Sequence, residues 1–177
     1  MHHDDDHDHD HDDHHDDHDD HHGNPADEHD KLHLEIHRAV DELGKYAIDI
    51  NVRSAEGLKK DVIIKFIDDL MVSVTKNCME NGADLVGHVK SFFSNNDGNI
   101  MSSIVDHRAP TRIKDSMNAD TIYEARFMFH IIVHGIWDDH VRESTLGVLE
   151  STFRKWNVPY TITADHYDTE KSIAHHT

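Results

Sequence analysis

The chain has 177 residues and a formal net charge of −19 with histidine neutral, and the first 22 residues supply −11 of that charge. The remaining −8 is acidic but ordinary for a chain long enough to form one domain with its own hydrophobic core. Lys and Arg form no stripe with interleaved aromatic residues, so the composition argues against a nucleic-acid-binding protein.

The chain contains one cysteine, Cys78, and therefore can form neither an internal disulfide nor a cysteine-based zinc site. The N-terminus lacks the apolar segment of a secretory signal, and no run approaches the 18 apolar residues of a membrane span. The expected compartment is therefore the cytoplasm. Neither a membrane nor nucleic acid is an expected partner.

Positions 2–22 read HHDDDHDHDHDDHHDDHDDHH and contain only His and Asp. A segment without apolar side chains cannot offset the roughly 1–2 kcal/mol per residue that ordering the backbone costs, so we expect disorder in the absence of a ligand. Imidazole nitrogen binds Ni, Co, Cu and Zn, and the aspartates attract divalent cations. The predicted metal ligands of this tail are His2, His3, His7, His9, His11, His14, His15, His18, His21 and His22.

Two other interpretations of the tail remain open, an expression tag and a merely solubilising acidic segment. The irregular interleaving with Asp is unlike a plain purification tag, and Glu and Lys would serve solubility as well as His does. Protonation of all 21 histidines would move the formal charge from −19 to about +2. We therefore expect any function of the tail to depend strongly on pH.

The tail, from His2 to His22, resembles the His-rich extensions of nickel and cobalt accessory proteins. These are the metallochaperones of hydrogenase and urease maturation and the cobalt and nickel chelatases. The resemblance implies capture of a divalent metal and its delivery to a client metalloenzyme or to the maturation machinery of that enzyme. The rest of the chain departs from those families, because it has no G-x-x-x-x-G-K-[ST] motif, no Gly-His-Gly-Ser start and no pair of C-x-x-C motifs.

The stretch 23–45 admits two interpretations. As a helix it has Asn24 as N-cap, Pro25 at the first position and Gly44 just beyond the last turn. As a strand it alternates apolar and polar side chains over 32–37. The capping pattern favours the helix.

Hydrophobic periodicity predicts five strands and two helices in the remainder. The predicted strands are 46–52, 83–93, 100–106, 123–135 and 158–164, and the predicted helices run from Ser54 to about Asn81 and over 138–156. Residues 107–120 are predicted to be a loop, and Pro159 places the last strand at a sheet edge. Cys78 falls on the apolar face of the first helix and is expected to be a small core residue.

This order of elements predicts an α+β two-layer sandwich. We expect a mostly antiparallel sheet with two helices on one face, the split βαβ or ferredoxin-like arrangement with one extra strand. The predicted organisation is a disordered His/Asp-rich tail over 1–25, a single α+β domain over 26–166 and a polar C-terminal tail over 167–177.

Three histidines of the predicted sheet form a candidate metal site. In the strand 123–135, His130 and His134 point to the face opposite Phe127, and His88 lies on the same open face if its strand is a neighbour in register. Residues four apart on a strand lie roughly 13 Å apart, so His88 can share an ion with only one of the other two. The alternative is that these are separate histidines on a sheet surface or a dimer interface.

A second candidate set is His29, His33 and His37, spaced four residues apart. On a helix they would form one face able to share a metal, whereas on a strand they would flank Glu35. The trio would be the place where the tail hands an ion to the folded body. The alternative is a solvated polar face.

Two further polar groups are best explained by structure. Asp138 and Asp139 precede His140 at a predicted helix start, where acidic side chains complement the helix dipole. The residues 106–108, Asp-His-Arg, lie at the end of a predicted strand, and neither group accompanies an identifiable nucleophile.

The first functional hypothesis is a metal-binding accessory protein that buffers Ni(II), Co(II) or Zn(II) and docks on a client or on a second copy of itself. The second is a small α+β enzyme with the tail as a metal reservoir, which a deep pocket joining His88, His130 and Arg126 would favour. A third is a metal sensor, which would need a basic DNA-reading element that the sequence lacks.

Overall fold

The structure is a computed structural model that describes residues 42–167. This part of the chain forms six strands and two helices, with four consecutive strands between the helices. In chain order they are β1 (Leu43–Lys59), α1 (Lys60–Glu80), β2 (Leu85–Asn95), β3 (Gly98–Ile104), β4 (Arg112–Asp115), β5 (Thr121–His134), α2 (Asp138–Lys155) and β6 (Tyr160–Asp165). The predicted tail over 1–25 and the segment 26–41 lie outside the described residues, as do positions 168–177 of the predicted C-terminal tail.

The strands form one sheet in the order β4-β3-β2-β5-β1-β6, and every neighbouring pair is antiparallel. Because β5 lies between β1 and β2, these two strands are parallel to each other, which is the split βαβ arrangement. The hairpin strand β3 and the short strand β4 extend the sheet beyond β2. The predicted α+β sandwich is confirmed, and β6, which follows Pro159, lies at an edge as expected.

The first helix starts later than its predicted boundary at Ser54. Strand β1 continues to Lys59, with a register shift between Arg53 and Leu58 and with Gly57 at a φ of 74°. The irregular stretch places Leu58 opposite Ile122 of β5 and so keeps the chain in the sheet. A bulge of this kind interrupts the alternation of side chains, which is the signal that a strand prediction uses.

Two other sequence predictions differ from the structure: part of a predicted loop is a strand, and a residue placed beyond a helix lies in a strand. Within the predicted loop 107–120, β4 pairs with β3, and Ile113 lies opposite Ser102. The four residues of β4 are too short a run to show a period. Gly44, which the helical interpretation of 23–45 placed beyond a helix, lies inside β1.

The strands β1, β2, β3 and β5 bury one face under the helices and leave the other open. In β5, the side chains of Phe127, Phe129, Ile131 and Val133 are buried under the helices, as predicted. Cys78 is fully buried in the same core, where burial raises the pKa of its thiol to about 11. Cys78 is thus a core residue, as its position on the helix predicted. In the described part of the chain, neither helix is long and apolar enough to cross a membrane.

The two helices are joined at their outer surface by the carboxylate of Asp69. The Lys155 ammonium lies 2.7 Å from Oδ2 of Asp69, and the indole Nε1 of Trp156 donates a hydrogen bond to the same oxygen at 2.7 Å. Partial burial alone would raise the pKa of Asp69, but these two donors outweigh it and hold that pKa below its usual range.

We expect Asp69→Asn to lower the free energy of unfolding by about 1 kcal/mol at pH 7, because the ion pair with Lys155 is lost and both donors are left with a neutral, weaker acceptor. A carboxyl group whose pKa is lower in the folded state contributes stability above its unfolded pKa and loses it as pH falls through the folded pKa. Urea unfolding at pH 7 and near pH 3 should therefore show the difference between the wild type and the variant shrinking in acid.

The matched control for this prediction is Asp68→Asn, one residue away on the exposed side of the same helix. We expect its effect at pH 7 to stay within about 0.5 kcal/mol. Equal effects of the two substitutions would contradict the role of Asp69 as a helix-to-helix contact.

Candidate functional site

A bulge in β2 decides which way His88 points. The register of β2 against β5 shifts between Val86, which lies opposite Val133, and His88, which lies opposite Ile132. Gly87 is the extra residue, and a Cβ at this position would lie 3.1 Å from the carbonyl oxygen of Ile132. Because side chains alternate along a strand, the extra residue turns His88 to the open face while Val86 and Val89 both stay buried.

His88 and His130 come into direct contact on the open face. Nε2 of His88 lies 3.4 Å from Nδ1 of His130, and the ring centroids are 5.2 Å apart. Partial burial lowers the pKa of both imidazoles, and the nearby ammonium of Lys90 lowers each pKa further. Both rings are therefore mainly neutral near pH 7. We call these two side chains the imidazole pair.

The spacing of the imidazole pair suits a shared metal ion. With Zn–N bonds of about 2.0–2.1 Å, two nitrogens of a tetrahedral site lie about 3.3 Å apart. The observed 3.4 Å is close to that value and is long for a hydrogen bond between two ring nitrogens. The structure thus brings His88 next to His130, the contact on which the predicted sharing of an ion depends.

His134 lies in a different environment. Its Nδ1 is 2.7 Å from Oδ1 of Asp84, and its Nε2 is 3.2 Å from Oε2 of Glu42. The hydrogen bond to Asp84 raises the pKa of His134, and the charge of Glu42 adds to this effect. Both ring nitrogens of His134 therefore contact carboxylates, and neither contacts the imidazole pair.

The three histidines do not form one metal site, in keeping with the strand spacing that separates His130 from His134. Among residues 42–167, no set of three or more His, Cys, Asp or Glu side chains is arranged to hold a metal ion. The physical reason is that His130 and His134, four residues apart on a strand, lie roughly 13 Å from each other, and that carboxylates contact His134. What the described body offers is two imidazole ligands.

An open cavity of about 590 Å³ borders the imidazole pair, with His130 in its lining. It lies on the open face of the sheet across β2, β3, β4 and β5. Its basic side chains are Lys90, Arg112 and Lys114, and its apolar ones include Phe92, Met101 and Met128. We call it the cationic cavity. Sequence reasoning missed it, because Arg112 and Lys114 fell in the predicted loop and only β4 brings them beside β3.

Arg126 does not join this site. Its guanidinium lies 2.7 Å from Oδ2 of Asp49, and His166 approaches the same oxygen to 3.5 Å. Burial alone would raise the pKa of Asp49, yet these donors lower it. The pocket joining His88, His130 and Arg126 that would have favoured an enzyme is not formed by the described residues, and Arg126 lines a separate surface depression.

The remaining predicted groups have structural roles or lie outside the described residues. Asp138 begins α2, and its Oδ1 accepts a hydrogen bond from the backbone N–H of Lys45 at 2.8 Å. Asp106 accepts the backbone N–H of Arg108 in a turn at 2.9 Å. His29, His33, His37 and all ten histidines of the tail lie outside the part of the chain that the structure describes.

Comparison with known proteins adds no relative to this picture. No family model, no curated protein sequence and no solved structure matches this chain.

Proposed function

We propose that this protein is a metal-binding accessory protein, in which the His/Asp tail captures and buffers Ni(II), Co(II) or Zn(II) for delivery to a client metalloenzyme. The observation that carries the proposal is the composition of positions 2–22, ten histidines and eleven aspartates with nothing between them. Metal coordination is the one strong chemistry that such a segment has. Delivery to a client is the role that its resemblance to nickel and cobalt accessory proteins implies.

The expected binding is multiple and weakly selective. With three or four imidazoles per ion, ten histidines provide about two to four sites with interchangeable ligands. Without a fixed geometry the affinities should follow the Irving–Williams order, so Cu(II) binds most tightly in a purified sample. In the cell the supply of each metal would decide which ion is carried.

The imidazole pair supports a second, smaller role for the folded body. His88 and His130 could occupy two positions of a tetrahedral ion and leave the others for water or for ligands of a client protein. A site with open positions favours exchange over permanent storage, and exchange is what delivery requires. The imidazole pair thus suits a site of transient metal binding better than a structural metal site.

The partners that fit this proposal are a client enzyme, its maturation machinery or a second copy of this chain. The proposed compartment is the cytoplasm. The single cysteine, which can form no internal disulfide, is compatible with a reducing compartment.

The test is anaerobic calorimetric titration of the full-length chain with nickel, cobalt and zinc at pH 7.5. We expect about three to five equivalents for the wild type, of which two to four belong to the tail, and the loss of the tail equivalents when all ten tail histidines are replaced by Asn. About one weaker equivalent should remain on the body and should disappear in the double variant His88→Asn, His130→Asn. Repeating the titration below about pH 6 should weaken every site, because protonated imidazoles do not bind metal.

The matched control replaces two exposed histidines of the same domain, His107→Asn and His140→Asn, and should leave all equivalents in place. Uptake of less than one equivalent by the full chain would contradict the metal-binding proposal as a whole. If the tail variant instead keeps every equivalent, the buffer role of the tail is wrong.

A further inference from the structure

The cationic cavity has a basic wall whose charges are not neutralised. Lys90 projects from β2, while Arg112 and Lys114 project from β4 on the same open face of the sheet. Among the residues that the structure describes, none of the three side chains forms an ion pair or a hydrogen bond. Its lining contains no carboxylate. Lys90 is separated from Arg112 and Lys114 by strand β3, so the three positive charges lie around one cavity, and an anion between them would be attracted by all three.

The floor of the same cavity is apolar. The side chains of Phe92, Met101 and Met128 line the same cavity as the basic residues, and Met101 keeps 39% of its surface exposed. Binding an apolar group here would remove this surface from water. Methionine side chains adapt to ligands of different shape because they are unbranched and polarisable.

The register of the sheet fixes how wall and floor meet. Met101 lies opposite Lys114 on the β3–β4 ladder, and Lys90 lies opposite His130 on the β2–β5 ladder. Directly opposed residues on one face have Cβ atoms about 4.5–5.5 Å apart. Charged and apolar contacts are thus available to a single small molecule lying across the strands.

We propose that the cationic cavity binds a small amphipathic anion, with a carboxylate or phosphate head held by Lys90, Arg112 and Lys114 and an apolar body lying on Phe92, Met101 and Met128. The volume of about 590 Å³ falls within the range of about 300–1,000 Å³ that small-molecule sites occupy. A bare metal ion is a poor occupant of this cavity, because three cations surround it. The inference does not depend on metal binding by the tail.

The test is calorimetric titration of the full-length protein with four matched probes: octyl phosphate, octanoate, octanol and inorganic phosphate. We expect octyl phosphate or octanoate to bind at least about tenfold more tightly than octanol or inorganic phosphate, because only the amphipathic anions use both wall and floor. Preference between the two anions would identify the head group. Added salt should weaken binding, because the basic wall is open to solvent.

Substitutions then locate the site. Lys114→Gln and Arg112→Gln, both on the exposed edge strand, should each weaken binding by roughly five- to tenfold, and Met101→Glu should weaken it at least as much. Lys45→Gln removes one positive charge from the same face of the sheet outside the cavity and should leave the affinity unchanged. Circular dichroism of each variant separates loss of the site from loss of the fold.

Three results would overturn the inference. If octanol binds as tightly as the anions, binding is nonspecific apolar adsorption. If inorganic phosphate binds as tightly as octyl phosphate, the apolar side chains of the cavity do not contribute to binding. Equal weakening by Lys114→Gln and Lys45→Gln would show that overall charge, and not this cavity, attracts the anion.

Discussion

Replacing Phe127 with alanine is expected to lower the free energy of unfolding by about 3–5 kcal/mol, a loss large enough to depopulate the folded state of a marginally stable domain. Phe127 lies at the centre of β5 and is fully buried. Its ring centroid lies 6.1 Å from that of Phe66 on α1, 6.0 Å from that of Phe93 on β2 and 6.3 Å from that of Phe153 on α2. Truncation therefore opens a cavity that borders both helices and a neighbouring strand.

The control is Met128→Ala, the next residue of the same strand on the opposite face of the sheet. Met128 is half-buried and borders solvent in the cationic cavity, so its truncation should cost about 1 kcal/mol or less. Urea unfolding of both variants by fluorescence and circular dichroism makes the comparison. Comparable losses for the two would contradict a sheet with one covered face.

The side-chain alternation of β5 is the reason that this strand was predictable from sequence. Large apolar side chains recur at every second position of this strand, at Phe127, Phe129, Ile131 and Val133. A period of two sustained over this length indicates a strand with one buried face. The helices were predictable for the equivalent reason, a stripe at the helical period that includes Phe66, Leu70 and Val74. Long periodic segments carry enough independent positions to define an element and its buried face.

The elements that escaped prediction lack such a period. The four residues of β4 become a strand only because β3 offers an unpaired edge, which is a property of the folded sheet and not of the local sequence. The register shift between Arg53 and Leu58 interrupts the pattern of β1, so its last residues resembled the start of a helix. Tertiary pairing overrides local preference at both places.

One part of the candidate site, the imidazole pair, could be predicted from the sequence, and the other part, the cationic cavity, could not. That His88 and His130 share the open face could be predicted from strand parity, although the outcome also required the bulge at Gly87, which parity alone does not reveal. The cationic cavity could not be predicted, because the basic side chains of Arg112 and Lys114 reach it through β4. A glycine inside a strand pattern is a recognised signal for a bulge, and Gly87 was the available clue.

Taken together, the two proposals assign cation binding to the tail and anion binding to the folded body. The acidic, histidine-rich tail suits cations, whereas the cationic cavity suits anions. The imidazole pair borders the cavity through His130, so an ion held by the pair would have an anion site beside it. An accessory protein with both features could accept a metal together with a small anionic ligand of that metal.

Gly44→Ala is expected to lower the free energy of unfolding by about 3 kcal/mol, although it adds only one methyl group. A Cβ at Gly44 would lie 2.1 Å from the carbonyl oxygen of Ile136 and 2.7 Å from Cγ2 of Val141. The oxygen belongs to the backbone just before α2, so relief requires moving the start of that helix away from β1. For a domain of this size the loss corresponds to a fall in Tm of roughly 9–15 °C by differential scanning calorimetry.

Gly147→Ala is the same chemical change, but it is expected to raise the free energy of unfolding. Gly147 is an exposed residue inside α2, and a Cβ there meets nothing within 4 Å. Alanine should therefore raise the free energy of unfolding by about 0.5–1 kcal/mol, because it reduces the backbone freedom of the unfolded chain and favours the helix. If both substitutions shifted Tm in the same direction, the close packing of β1 against the start of α2 would be wrong. Opposite signs would show that contact with Ile136, and not glycine flexibility as such, explains why position 44 has no side chain.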